Sequence, residues 1–139
     1  MDSHMIDPGL INAACKKAMG SPPAWGRDDC CTFACDIIKA QFGLDLMAPL
    51  RGKYGNQKEA QEVMWRYASG NLGEVAIKLA RRAAIEPVAF PFVGAHVGVV
   101  SGTAGPTLAV SDGAAWVMRA QEMVLRVPLW RAVLAWRVR

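Results

Sequence analysis

Apolar positions change their period along the chain. In "PGLINAACKKAM" they recur at helical spacing, Asp7 with Pro8 supplies an N-cap and a first-turn proline, and Gly20 before "SPP" closes the segment, which predicts a helix over 8–19. The turn "WGRDD" offers aspartates that can cap the next segment. There Cys30, Ala34, Ile37, Ile38 and Phe42 again recur at helical spacing until Gly43, so a second helix is expected to open at Cys30. "LDLMAPLRGKYGN" reads as loop. "QKEAQEVMWRYAS" and "NLGEVAIKLARRAA" read as amphipathic helices, with Gly70 as the break between them.

After Pro87 the period shortens. "VAFPF", "AHVGVVSG", "TLAVSDG", "AAWVMRA", "EMVLRV" and "AVLAWRVR" are β-branched or aromatic stretches punctuated by Gly, Pro or Asp, and all are expected to be strands. Helices first and closely spaced strands later predict an α+β domain with N-terminal helices and a largely antiparallel sheet, since short connections suit hairpins and not crossovers.

Composition narrows this picture. A chain of 139 residues, 53% hydrophobic and 20% charged, supports one domain with a real core. The net charge of +4 comes from scattered Lys and Arg with a modest cluster in "WRAVLAWRVR"; without a basic stripe interleaved with aromatics, no nucleic-acid partner is expected. No apolar run reaches the roughly 18 residues of a membrane span, and the first residues lack the pattern of a signal peptide, so synthesis in the cytoplasm is expected. "MDSHM" (1–5) reads as an expression-vector remnant running into a native start at Met5, with residues 6–139 the single domain. His4 is then foreign, and His96 is the one native histidine. Trp25, Trp65, Trp116, Trp130 and Trp136 show no binding stripe and are expected to pack in the core and at its edges.

Four cysteines at irregular spacing do not form a disulfide framework, and free thiols are expected. Cys30, Cys31, Cys35 and His96 are zinc-ligand types, but they lack the usual knuckle spacing and a second pair, so neither metal nor cofactor is expected. A thiol works as a nucleophile when ionised, and a helix start lowers its pKa through free N–H groups and the dipole. Cys30 stands at such a start, behind Asp29 as N-cap. His96 is the imidazole left to act as base and then acid, while Cys15, Cys31 and Cys35 are expected to pack.

Two motifs resemble the NlpC-type cysteine peptidases, a papain-like superfamily acting on bacterial peptidoglycan. One is Trp25-Gly26 followed by Asp29-Cys30 opening a helix; the other is His96-Val97-Gly98 followed by Val99, Val100 and Gly102. From "WGRDDCCTFACD" through "RGKYGN" to "LAWRV", the chain is also similar to small tail-region proteins of bacteriophages within that superfamily. The resemblance implies a cysteine helix packed against the antiparallel sheet, a peptidoglycan peptide as substrate, other phage tail proteins as partners, and a place in the virion acting on the host periplasm or cell wall. It also implies that Cys30 attacks the carbonyl, that His96 moves the proton, and that Ser111 or Asp112 on the next strand orients the ring. Cys31-Thr32 stand where the family usually has Ser-Gly, and Pro23 stands where it often has tyrosine. These departures favour the alternative, a catalytically inactive peptidase-fold component of a phage tail.

Overall fold

The computed structural model describes residues 5–102 and 105–139. Four helices precede the sheet: α1 (Pro8–Met19), α2 (Cys30–Phe42), α3 (Gln57–Tyr67) and α4 (Leu72–Ala83). Each has a side-chain N-cap. Asp7, Asp29, Asn56 and Asn71 accept from backbone N–H groups of their own first turns, satisfying donors that a helix start leaves open. Asp29 and Thr32 complete a reciprocal capping box on α2, and Gly43 ends that helix in a left-handed conformation, φ 71°.

The strands are β1 (Glu86–Pro87), β2 (Val97–Gly102), β3 (Gly105–Ser111), β4 (Ala115–Ala120), β5 (Met123–Pro128) and β6 (Ala132–Arg137). Among the described residues they form one sheet in the order β1-β6-β2-β3-β4-β5, with every neighbouring pair antiparallel. The α+β arrangement predicted from the period change is therefore present, with helices N-terminal and sheet C-terminal. One expectation fails. "VAFPF" is not a strand: the first strand ends at Pro87 with one last bond from Val88 N–H to Ala135 O, Pro91 has no N–H to donate, and Phe92 adopts φ 69°, which a regular strand does not contain. The chain loops there before β2. Of the proposed vector remnant at 1–5, residues 1–4 lie outside the described residues.

α2 lies over β3 and β4. On that face Phe33, Ile37, Ile38, Val75 and Leu79 of the helices meet Val97, Val99, Leu108, Val110 and Val117 of the sheet. A second, smaller cluster of Val100, Ala109, Trp116, Met118 and Ala135 occupies the other face under Phe92. Trp116 is fully buried and its Nε1 donates to Leu129 O, whereas Trp25, Trp65 and Trp130 are exposed, so the expectation of tryptophan packing holds in full for Trp116 and Trp136 only.

Candidate thiol site

The turn before α2 is built around one carboxylate. Asp29 is buried and accepts four hydrogen bonds: Oδ1 from the N–H groups of Cys31 and Thr32, Oδ2 from Gly26 N–H and from the Tyr54 hydroxyl. Gly26 sits at φ 83°, and a Cβ there would fall 2.2 Å from the Tyr54 carbonyl oxygen. The Trp-Gly-x-x-Asp-Cys stretch thus folds as it does because glycine lets two backbones touch while the aspartate ties both to the helix start. Cys30, first residue of α2, is left half-buried beside this anchor.

Its surroundings favour the thiolate. The Cys31 thiol lies 4.0 Å away and acts as donor, which is the largest influence. Burial opposes it, the Thr107 hydroxyl helps, the Asp29 charge opposes, and the Cys30 N–H helps; the balance holds Cys30 at about 7. Cys31 is the counterpart: the neighbouring Cys30 and its own burial both raise it well above a free thiol, so it stays protonated as donor. Burial raises Cys35 and Cys15 as well. Thr107 Oγ1 is buried and makes no hydrogen bond of ordinary geometry among the described residues, yet it lies close enough to Cys30 to favour its ionised form.

Cys30 opens onto a cavity of about 490 Å³ between α2, α3, α4 and β3. Its wall is apolar, with buried Met47, Leu50, Val63, Leu72, Leu79 and Leu108. Polar residues gather at the sulfur end, as Asp29, Cys31 and Tyr54, and on the exposed rim, as Gln57, Gln61 and Asn71. Burial, with help from the Asp29 charge, pushes the Tyr54 hydroxyl far above its ordinary range, which keeps it a donor to Asp29 at all ordinary pH.

His96 is elsewhere. Its ring is buried against Phe42, the last residue of α2, with centroids 4.8 Å apart, and its Nδ1 accepts from Val138 N–H at 2.9 Å. Cys30 and Phe42 are separated by the whole of α2, about 18 Å at 1.5 Å per residue. Along the sheet the answer is similar: Cys30 neighbours Thr107, whereas His96 O accepts from Ser111 N–H four residues further on, about 13 Å away. The expected pairing of Cys30 with His96 is not assembled, because α2 runs over the sheet with its C-terminus, not its N-terminus, at the start of β2.

The expected orienting residues are also engaged otherwise. Ser111 is buried, and its Oγ accepts from Gly113 N–H in the β3–β4 turn. Asp112 accepts from Ala114 and Ala115 N–H and from the Arg126 guanidinium. Burial raises its pKa, but these donors outweigh burial and hold it below the ordinary value. Both residues stabilise a hairpin. Tyr54 and Thr107 are the site residues that sequence reasoning missed. No local pattern marks a loop tyrosine or a strand threonine as a neighbour of a helix-start thiol. Among the described residues no group of three or more His, Cys, Asp or Glu is arranged to hold a metal ion.

No curated protein and no solved structure matches the chain. A family model described as a domain of unknown function (DUF6950) matches residues 8–138, and the chain belongs to that family.

Proposed function

We propose that this chain is a peptidase-fold component of a bacteriophage tail that does not hydrolyse peptidoglycan. One observation carries the reading: Cys30 and His96 stand at opposite ends of α2, with the His96 ring against Phe42 and its Nδ1 accepting from Val138 N–H. Amide cleavage needs a proton donor for the leaving amine, and the thiol alone does not supply one. The two motifs, the tail-protein resemblance and the α+β order support the placement in a tail, where other tail proteins would be its partners. The test has two arms. Purified protein should release no soluble fragments from several peptidoglycan types, and phage lacking the gene should make defective tails that protein carrying Cys30→Ala restores. Fragment release that requires Cys30, or normal tails without the gene, would overturn the reading.

A second reading is favoured by the low pKa of Cys30 and its cavity. Here the chain is a peptidoglycan thiol hydrolase in which Cys30 attacks the peptide or amide carbonyl, His96 is base and acid, and Asp112 or Ser111 orients the ring. It demands that α2 and β2 move by about 13 Å relative to one another. Loss of fragment release in both Cys30→Ala and His96→Ala, with the fold retained, would establish it.

A further inference from the structure

The lining of the cavity beside Cys30 suits an aliphatic chain better than a peptide. Its interior is aliphatic, its polar atoms sit at the sulfur end and the outer rim, and its volume lies within the range of small-ligand sites. A ligand that fits such a shape has a long apolar body and one polar, electrophilic end. We propose that the cavity binds an aliphatic acyl chain and that Cys30 accepts the acyl group from the thioester of a small soluble thiol. This goes beyond the tail reading and does not rest on it.

The chemistry matches what is present and what is missing. The Cys30 thiolate adds to the thioester carbonyl carbon, forming a new carbon–sulfur bond and an oxyanion. Collapse of that oxyanion breaks the donor's carbon–sulfur bond, and the electron pair leaves on the donor sulfur as a thiolate. One thioester becomes another, with no oxidant, no reductant and no proton needed by the leaving group. An imidazole beside the sulfur is therefore dispensable here, whereas amide cleavage requires an acid. Thr107 gains a role as well. Its buried hydroxyl lies beside Cys30 without an ordinary hydrogen-bond partner among the described residues, and a donor in that position can hold the developing oxyanion. The N–H groups of Cys31 and Thr32 are already taken by Asp29, which leaves the Cys30 N–H and the Thr107 hydroxyl as the donors at the sulfur.

Chain length tests the cavity without any mutation. The folded protein is incubated at neutral pH with acetyl and dodecanoyl thioesters of N-acetylcysteamine, and acylation is read by intact mass and mapped by digestion. The dodecanoyl group should transfer to Cys30 at least about tenfold faster than acetyl, because burial of extra methylenes is favourable. The adduct should be cleaved by neutral hydroxylamine. Cys30→Ala should abolish it, and Thr107→Val should slow transfer of both acyl groups severalfold. Ala60→Phe, which fills the cavity from α3, should erase the chain-length preference while Cys30 still reacts normally with iodoacetamide. Equal rates for the two chains, adducts on Cys15 or Cys31 instead, or no acylation of a Cys30 that iodoacetamide labels, would each overturn the proposal.

Discussion

Cys30 is more acidic than an ordinary cysteine chiefly because a second thiol stands next to it. This fixes the sign of the pH dependence. A pKa lowered to about 7 means that thiolate predominates above that pH and is protonated below it, so alkylation by iodoacetamide should rise through pH 7. A free cysteine would show this rise near 8.5. Cys31→Ala removes the largest favourable influence, so the midpoint should move up toward the free value, and Thr107→Val should move it up by less. Mass-mapped labelling rates across roughly pH 5.5 to 9.5, which spans both this midpoint and the free value, read this out. A wild-type midpoint at the free value would remove the special character of the site. At this scale much was legible: an aspartate before a cysteine at a helix start signals both cap and activated thiol. The contribution of Cys31 was not, since a cysteine one position on reads as packing, and it packs while also donating.

The element that holds the site is the turn from Trp25 to Asp29, locked onto the loop that carries Tyr54. Asp29→Ala would strip the helix of its cap and leave Gly26 N–H and the Tyr54 hydroxyl without their acceptor. A lost cap costs about 1 kcal/mol, and unsatisfied buried donors about 1–3 kcal/mol each, so a destabilisation of at least about 3 kcal/mol is expected in urea unfolding. Gly26→Ala should be comparably costly, as its Cβ would collide with backbone at 2.2 Å in a left-handed conformation. In the sheet, Gly98→Ala places a Cβ 2.7 Å from Trp116 Cη2 and 2.9 Å from the Leu134 carbonyl. A loss of about 1–3 kcal/mol is expected there. If any of the three variants unfolds at the wild-type urea midpoint, the contact assigned to it is not stabilising. Helix and strand identities were readable because caps, glycines and period are local signals. The segment after Pro87 misled because β-branched and aromatic composition speaks for a strand, whereas Pro91 and the φ of Phe92 decide against one.

For the whole molecule, the decisive property is the direction in which α2 crosses the sheet. Nothing in a local pattern encodes it: the same amphipathic helix buries the same face whichever end meets the start of β2. Cys30 and His96 were therefore legible as separate chemical types but not as distant neighbours. In this fold His96 works as a seam, tying the last strand's exit at Val138 to β2 and packing at a tilt against Phe42, while Cys30 faces the cavity at the other end. That division can be measured by a double-mutant cycle. His96→Ala should cost about 3 kcal/mol, from the orphaned Val138 N–H and the lost ring packing, while Cys30→Ala should cost about 1 kcal/mol or less. Sites more than about 10 Å apart without shared partners add within about 0.5 kcal/mol, so the double variant should unfold at the sum of the two losses. The cycle has a kinetic counterpart: His96→Ala should leave the pH midpoint of Cys30 alkylation where it is, because the ring is too remote to hold the thiolate. A coupling energy well above about 0.5 kcal/mol, or a midpoint that climbs when the imidazole is removed, would mean that the two residues touch in solution. The hydrolase pairing would then stand in place of the separation described above.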